Sequence, residues 1–150
     1  MRIAIGSDHA GWKLKGIIEQ RFSAPGMEFT DFGVNKPQPA DYPDIAVAVG
    51  EAVVRGECDE GILICGTGIG MVVAANKVPG IRAALCHDVF TAKCAREHNN
   101  ANVLTLGERV LQPEVACDIV DAWLKARFAG GRHARRLEKI REIEKKYCGK

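Results

Sequence analysis

At 150 residues the chain is most simply one domain, spanning 1–150, and is long enough to bury a proper core. Its 47% hydrophobic and 27% charged residues match a soluble globular protein, and a net charge of +2 is too small to argue for nucleic acid. No apolar run approaches the roughly 20 residues of a membrane span, and six cysteines without a C-x-x-C or zinc-spaced histidines suit free thiols in a reducing cytoplasm.

Arg2 to Gly6 predicts a first strand, entered directly from Met1 with no signal-peptide layout, so a cytoplasmic location is expected. Ser7-Asp8-His9-Ala10-Gly11 is the turn after it, and Leu14, Ile17, Ile18 and Phe22 mark one face of the helix that follows. Pro25-Gly26 turns the chain into a second strand, Met27 to Phe32. Gly33 to Pro43, with three prolines, is a loop long enough to wall a site. Ile45, Ala48, Val49, Ala52 and Val53 space out a helix over Asp44 to Arg55. Gly61 to Cys65 is a short, continuous apolar run, as expected of a strand buried on both faces of a parallel sheet.

Gly66, Gly68 and Gly70 follow at alternate positions and lead into a buried helix over about 69–77. Such a turn leaves backbone N–H groups uncovered and aimed at whatever sits above it. Cys65 stands at its edge, and the positive end of a helix dipole favours a thiolate. A Walker A loop is excluded because Met71-Val72 stand where Lys-Ser/Thr would be required. The dinucleotide fingerprint fails because Met71 and Val73 occupy its last glycine position in either frame. A cysteine-phosphatase loop would place an arginine at position 71. The plainer alternative is that the glycines permit close helix–strand packing and Cys65 is a small buried hydrophobe.

Ile81 to Cys86 predicts a fourth strand, Phe90 to Glu97 a helix, Asn102 to Leu106 a fifth strand, and Pro113 opens a further helix. Alternating units of this kind imply an α/β fold, a parallel sheet with helices on both faces. A strand order of 2-1-3-4-5 would put the switch point between strands 1 and 3, where ligands bind at the carboxyl ends. Asp8-His9 and Cys65 to Gly70 then meet in one crevice. His98, at the end of the fourth-strand helix, is expected on that same edge as an acid/base group; the alternative is a histidine complementing a helix dipole. His87 and His133 look like surface or cap residues. After Gly130-Gly131 a basic helix, Arg132 to Tyr147, carries only a narrow seam of Leu137, Ile140, Ile143 and Tyr147, so it is expected to dock on a second subunit. Arg132 and Arg136 lie one turn apart and can reach one anion, or else form a solvated basic face.

These pieces, with Asp41-Tyr42-Pro43, Ala75-Asn76-Lys77, Arg96-Glu97-His98-Asn99 and Gly107-Glu108-Arg109-Val110, are collinear over nearly the whole chain. Together they resemble the type B ribose-5-phosphate isomerases, related to the galactose-6-phosphate isomerase subunits. The resemblance implies a Rossmann-like sheet, a homodimer or dimer of dimers with a site built from two subunits, and no cofactor or metal. It implies interconversion of ribose 5-phosphate and ribulose 5-phosphate, as in the pentose phosphate pathway, by proton transfer through an enediolate. Cys65 then corresponds to the base and His98 to the acid that opens the sugar ring, with Asp8 and Thr67 among the catalytic residues. Asp8, His9, Gly66, Thr67, Gly68, Ile69, Gly70, Asn99, Arg109, Arg132 and Arg136 correspond to substrate ligands, the arginines mainly for phosphate. With Cys65 and Met71 the chain falls in the branch that uses cysteine rather than a glutamate after the glycine loop. Rival expectations are a six-carbon sugar phosphate such as allose or galactose 6-phosphate, decided by pocket length near Tyr42, and a non-catalytic nucleotide-binding module. Nucleic acid is disfavoured because Glu138, Glu142 and Glu144 interrupt the basic run.

Overall fold

The computed structural model describes residues 1–148. Five strands, β1 (Arg2–Ser7), β2 (Glu28–Asp31), β3 (Glu60–Cys65), β4 (Ala83–Leu85) and β5 (Val103–Gly107), form one sheet in which every pairing is parallel. Between and after them run α1 (Trp12–Arg21), α2 (Tyr42–Val54), α3 (Ile69–Ala75), α4 (Val89–Asn99), α5 (Pro113–Lys125) and α6 (Arg132–Cys148).

Side chains alternate across a strand, so neighbouring apolar residues feed two separate cores. Ile3, Ile5, Ile62, Ile64, Leu104 and Leu106 pack on one face with residues of α1, α4 and α5. Ala4, Leu63, Cys65 and Val103 pack on the other with residues of α2 and α3. Each fully buried aliphatic side chain contributes about 1.5–3 kcal/mol. Among the described residues no helix is long and apolar enough to cross a membrane.

The strand order is β2-β1-β3-β5-β4, not the expected 2-1-3-4-5. Burial explains the exchange. All five residues of β5 are buried, as suits a central strand, whereas β4 is three residues long and only half-buried, as suits an edge. The switch point between β1 and β3 is unaffected, because β1 still pairs with β2 on one side and β3 on the other.

The buried face of α1 also differs from expectation. Ile17 is exposed, and Lys15 lies in the core beside Leu14 and Ile18. Its Nζ pairs with Asp31 and donates to Asn35 Oδ1 at 2.7 Å, tying α1 to the end of β2 and to the loop after it. Lys15→Ala is therefore expected to lower unfolding free energy by about 3 kcal/mol, the lower end for a broken buried pair because Asp31 keeps contact with solvent. Urea unfolding measures this, and a loss below about 1 kcal/mol would show the pair to be dispensable.

Candidate active site

At the carboxyl edge of the sheet β3 ends in Cys65, whose side chain is turned toward α2 and α3. Gly68 adopts φ 79, a left-handed backbone that favours glycine, and its N–H donates to Cys65 Sγ at 3.0 Å. The sulfur thus sits inside the curl of the Gly66–Gly70 loop. Thr67 is exposed on the outer side of the curl, where its Oγ1 accepts the Ile69 N–H at 3.3 Å.

Neighbouring turns close around this loop. Asp8 is buried and accepts the Ala10 N–H at 2.9 Å, while His9 is exposed. A Cβ on Gly11 would stand 2.6 Å from the Ile64 carbonyl oxygen, so the Asp8–Gly11 turn lies directly against the end of β3. From the other side the Glu108 and Arg109 N–H groups donate to the carbonyls of Cys65 and Gly66, at 2.9 and 3.0 Å. The Arg109 side chain runs over Gly66, 3.3 Å from where a Cβ would be, and the Tyr42 ring lies 2.8 Å from the same point on Gly70. Asp8, His9, Cys65 to Gly70 and Arg109 are therefore brought together. Tyr42 is a wall of the loop, and Glu108, quoted above only as part of a matching stretch, has a structural task of its own. Its Oε2 accepts the Leu14 N–H at 2.9 Å, closing the start of α1, which has no side-chain cap of its own.

His98, Asn99, Arg132 and Arg136 are not at this edge. A helix that leaves the carboxyl end of β4 must finish at the amino ends of the strands, and α4 does so. The Asn102 carbonyl, just beyond it, accepts the Gly61 N–H at 2.9 Å, and the Glu97 carbonyl accepts the Ala129 N–H at 3.0 Å. From Gly61 to Cys65 is about 13 Å at about 3.3 Å per residue. The expectation that His98 shares an edge with Cys65 is thus corrected.

His98 has its own cluster. Its ring stacks on His133 with centroids 4.4 Å apart and planes 10° from parallel. His133 is buried, not the surface or cap residue expected, and loss of hydration, then the charges of His98, Arg132 and Arg136, hold its imidazole below the ordinary histidine range. Arg132 and Arg136 extend from the same end of α6 and are exposed, as is Asn99. The chain carries two half-clusters: a thiol with backbone donors at one edge, an imidazole pair with guanidinium groups at the other.

Residues 3–140 match the family model described as Ribose/Galactose Isomerase. The chain belongs to the ribose/galactose isomerase family. It is 48% identical over 145 residues to ribose-5-phosphate isomerase B of Escherichia coli, covering 97% of each chain. Among solved structures it is similar to ribose-5-phosphate isomerase B of Clostridium thermocellum, with 58% identity, a TM-score of 0.96 and coverage of 98% of this chain and 99% of that one. It is likewise similar to ribose-5-phosphate isomerase B of Mycoplasma genitalium with bound ribulose-5-phosphate, with 46% identity, a TM-score of 0.90 and 96% of each chain covered.

In this ribose/galactose isomerase the glycine loop is held with little slack. A Cβ on Gly107, at the end of β5, would stand 2.7 Å from the Thr67 carbonyl carbon and oxygen. Because the obstacle is backbone, Gly107→Ala must push the loop away, at about 1–3 kcal/mol of stability. A shift of order 1 Å beside Cys65 is expected to lower kcat about a hundredfold. Thermal unfolding and steady-state kinetics on one preparation check both; unchanged kcat would mean that the loop position does not matter to turnover.

Proposed function

We propose that residues 1–150 form a single sugar-phosphate isomerase domain that interconverts ribose 5-phosphate and ribulose 5-phosphate. The observation that carries the reading is the Cys65 sulfur held under the Gly68 N–H at 3.0 Å, within the glycine loop that leads into α3. Moving a proton between adjacent carbons passes through an enediolate. One well-placed donor to its oxygen is worth about 3–4 kcal/mol.

In the forward direction the Cys65 thiolate takes the C2 proton of the open aldose, and the electron pair forms the C1–C2 double bond of the enediolate. The thiol returns the proton to C1, and the oxygen-bound proton passes from O2 to O1, leaving the ketose with no net change in atoms. Thr67 and the backbone of Gly66, Gly68, Ile69 and Gly70 hold the reacting oxygens, with Asp8 and His9 beside them. Arg109, Arg132 and Arg136 bind the phosphate, for which guanidinium groups offer paired donors. Binding energy at that remote group orients the reacting carbons.

His98 protonates the ring oxygen of the cyclic sugar, and Asn99 stands beside it as a ligand. Since His98 and Cys65 lie at opposite edges of one sheet, the site is completed by a second copy of the chain, each copy lending its His98 edge to the other's Cys65 edge. The exposed seam of Ile140, Ile143 and Tyr147 on α6 supplies apolar surface for such pairing.

The test is conversion of ribose 5-phosphate in deuterated water with a metal chelator present. Conversion with deuterium appearing at C1 is expected. No conversion would end the five-carbon assignment and turn attention to six-carbon sugar phosphates.

A further inference from the structure

Beneath the His98 cluster lies a buried group of side chains to which the proposed mechanism gives no part. Glu60, the first residue of β3, is 6% exposed. One carboxylate oxygen pairs with Arg96, and the other accepts the Trp123 Nε1–H at 2.7 Å. Trp123 is fully buried on α5, and the Arg96 guanidinium carbon lies 5.2 Å from its ring centroid. A terminal nitrogen of Arg96 donates to the Ala101 carbonyl at 2.6 Å. Three elements thus converge on the backbone immediately after α4.

What they hold is the chain reversal that ends α4. Asn100 has φ 43, the left-handed conformation that ends many helices and that asparagine tolerates better than most residues with a side chain. Its N–H donates to the Arg96 carbonyl at 3.1 Å, its carbonyl accepts Arg82 Nε at 2.9 Å, and the Ala101 N–H reaches the Ala95 carbonyl at 2.9 Å. His98 and Asn99 sit in the last turn of α4, between Arg96 and this reversal. A buried ion pair gains little stability over apolar packing, so its value here is sought in the geometry it holds.

We infer that Glu60, Arg96 and Trp123 are positioning residues, which fix the end of α4 so that His98 and Asn99 meet the sugar ring in one orientation. The inference rests on the assignment of His98 to ring opening. That step separates cleanly from proton transfer. Ribose 5-phosphate is cyclic and must be opened first. Ribulose 5-phosphate is open-chain, because the O5 that would close a five-membered ring on C2 carries the phosphate. Exchange of its C1 hydrogen with solvent therefore needs Cys65 but no ring opening.

The experiment compares two rates in wild type, His98→Asn, Glu60→Gln and Trp123→Phe: turnover of ribose 5-phosphate, and C1 hydrogen–deuterium exchange of ribulose 5-phosphate followed by NMR. Trp123→Phe removes the N–H donor but also shrinks a fully buried side chain, so its thermal unfolding is measured beside the two rates, and it gives a second reading should Glu60→Gln fail to fold. Turnover of the aldose is expected to fall about ten- to a hundredfold in Trp123→Phe, with ketose exchange within about twofold of wild type, the same split as in His98→Asn. A parallel fall of both rates, or no fall in either, while His98→Asn shows the split would overturn the positioning role alone. Retained aldose turnover in His98→Asn would overturn the ring-opening assignment and this inference with it.

Discussion

Cys65→Ala is expected to lose turnover of ribose 5-phosphate about 10²- to 10⁴-fold while KM stays within about twofold of wild type. The size follows from the proposed role of Cys65 as the base. Removing the sulfur leaves the Gly66–Gly70 donors, Asp8, His9 and the phosphate ligands in place, so the sugar phosphate is held as before with no base at the reacting carbon. Alanine also suits the site sterically, since Cys65 is buried against α2 and α3 and a smaller side chain leaves only a small void. The Gly68 N–H loses its sulfur acceptor and is free to bind water or substrate. Steady-state kinetics, with binding of the substrate checked by calorimetry, measures both halves. Retained turnover would mean that another group is the base, and a large rise in KM would mean that Cys65 helps to bind the substrate.

The second large effect is restoration. Cys65→Ala and His98→Asn are each expected to be nearly inactive alone, yet co-expression of the two should recover about a quarter of wild-type activity. The figure comes from twofold symmetry: random pairing makes half of the dimers mixed, and each mixed dimer has one complete site and one lacking both groups. The prediction depends on the structural fact that β3 separates its two ends by about 13 Å, with Cys65 at one and the α4 terminus beside the other. A site contained in one chain could never be restored in this way, so absence of recovery in dimers shown to be mixed would end the shared-site proposal.

Much of this was legible before any coordinates. Strands such as Ile62-Leu63-Ile64 announce themselves because a centrally buried strand needs apolar residues on both faces, and the glycines after Cys65 mark a loop where side chains cannot fit. The Arg96–Asn99 stretch and the Arg132–Arg136 pair were likewise visible as unusual chemistry. Harder to read were residues whose role depends on a neighbour far along the chain. Lys15 looks like a surface residue until Asp31 and Asn35 surround it, and His133 looks like a cap until His98 stacks on it at 4.4 Å. Glu108, Glu60 and Trp123 act through partners 94, 36 and 63 residues away, a range over which local pattern carries no signal.

Local order and composition alone determined the alternating α/β plan and the glycine turn after Cys65, while the residues expected to serve a sugar phosphate came with the family resemblance. The tertiary structure decided two things: that β5, buried along its whole length, displaces the short β4 from the third strand's side, and that α4 ends at the amino edge. Both follow from packing among distant segments, because which strand lies beside which is settled by the total surface buried rather than by either strand's own sequence. The same packing sets Cys65 and His98 toward opposite ends of β3, which is why the proposed site draws on a second chain.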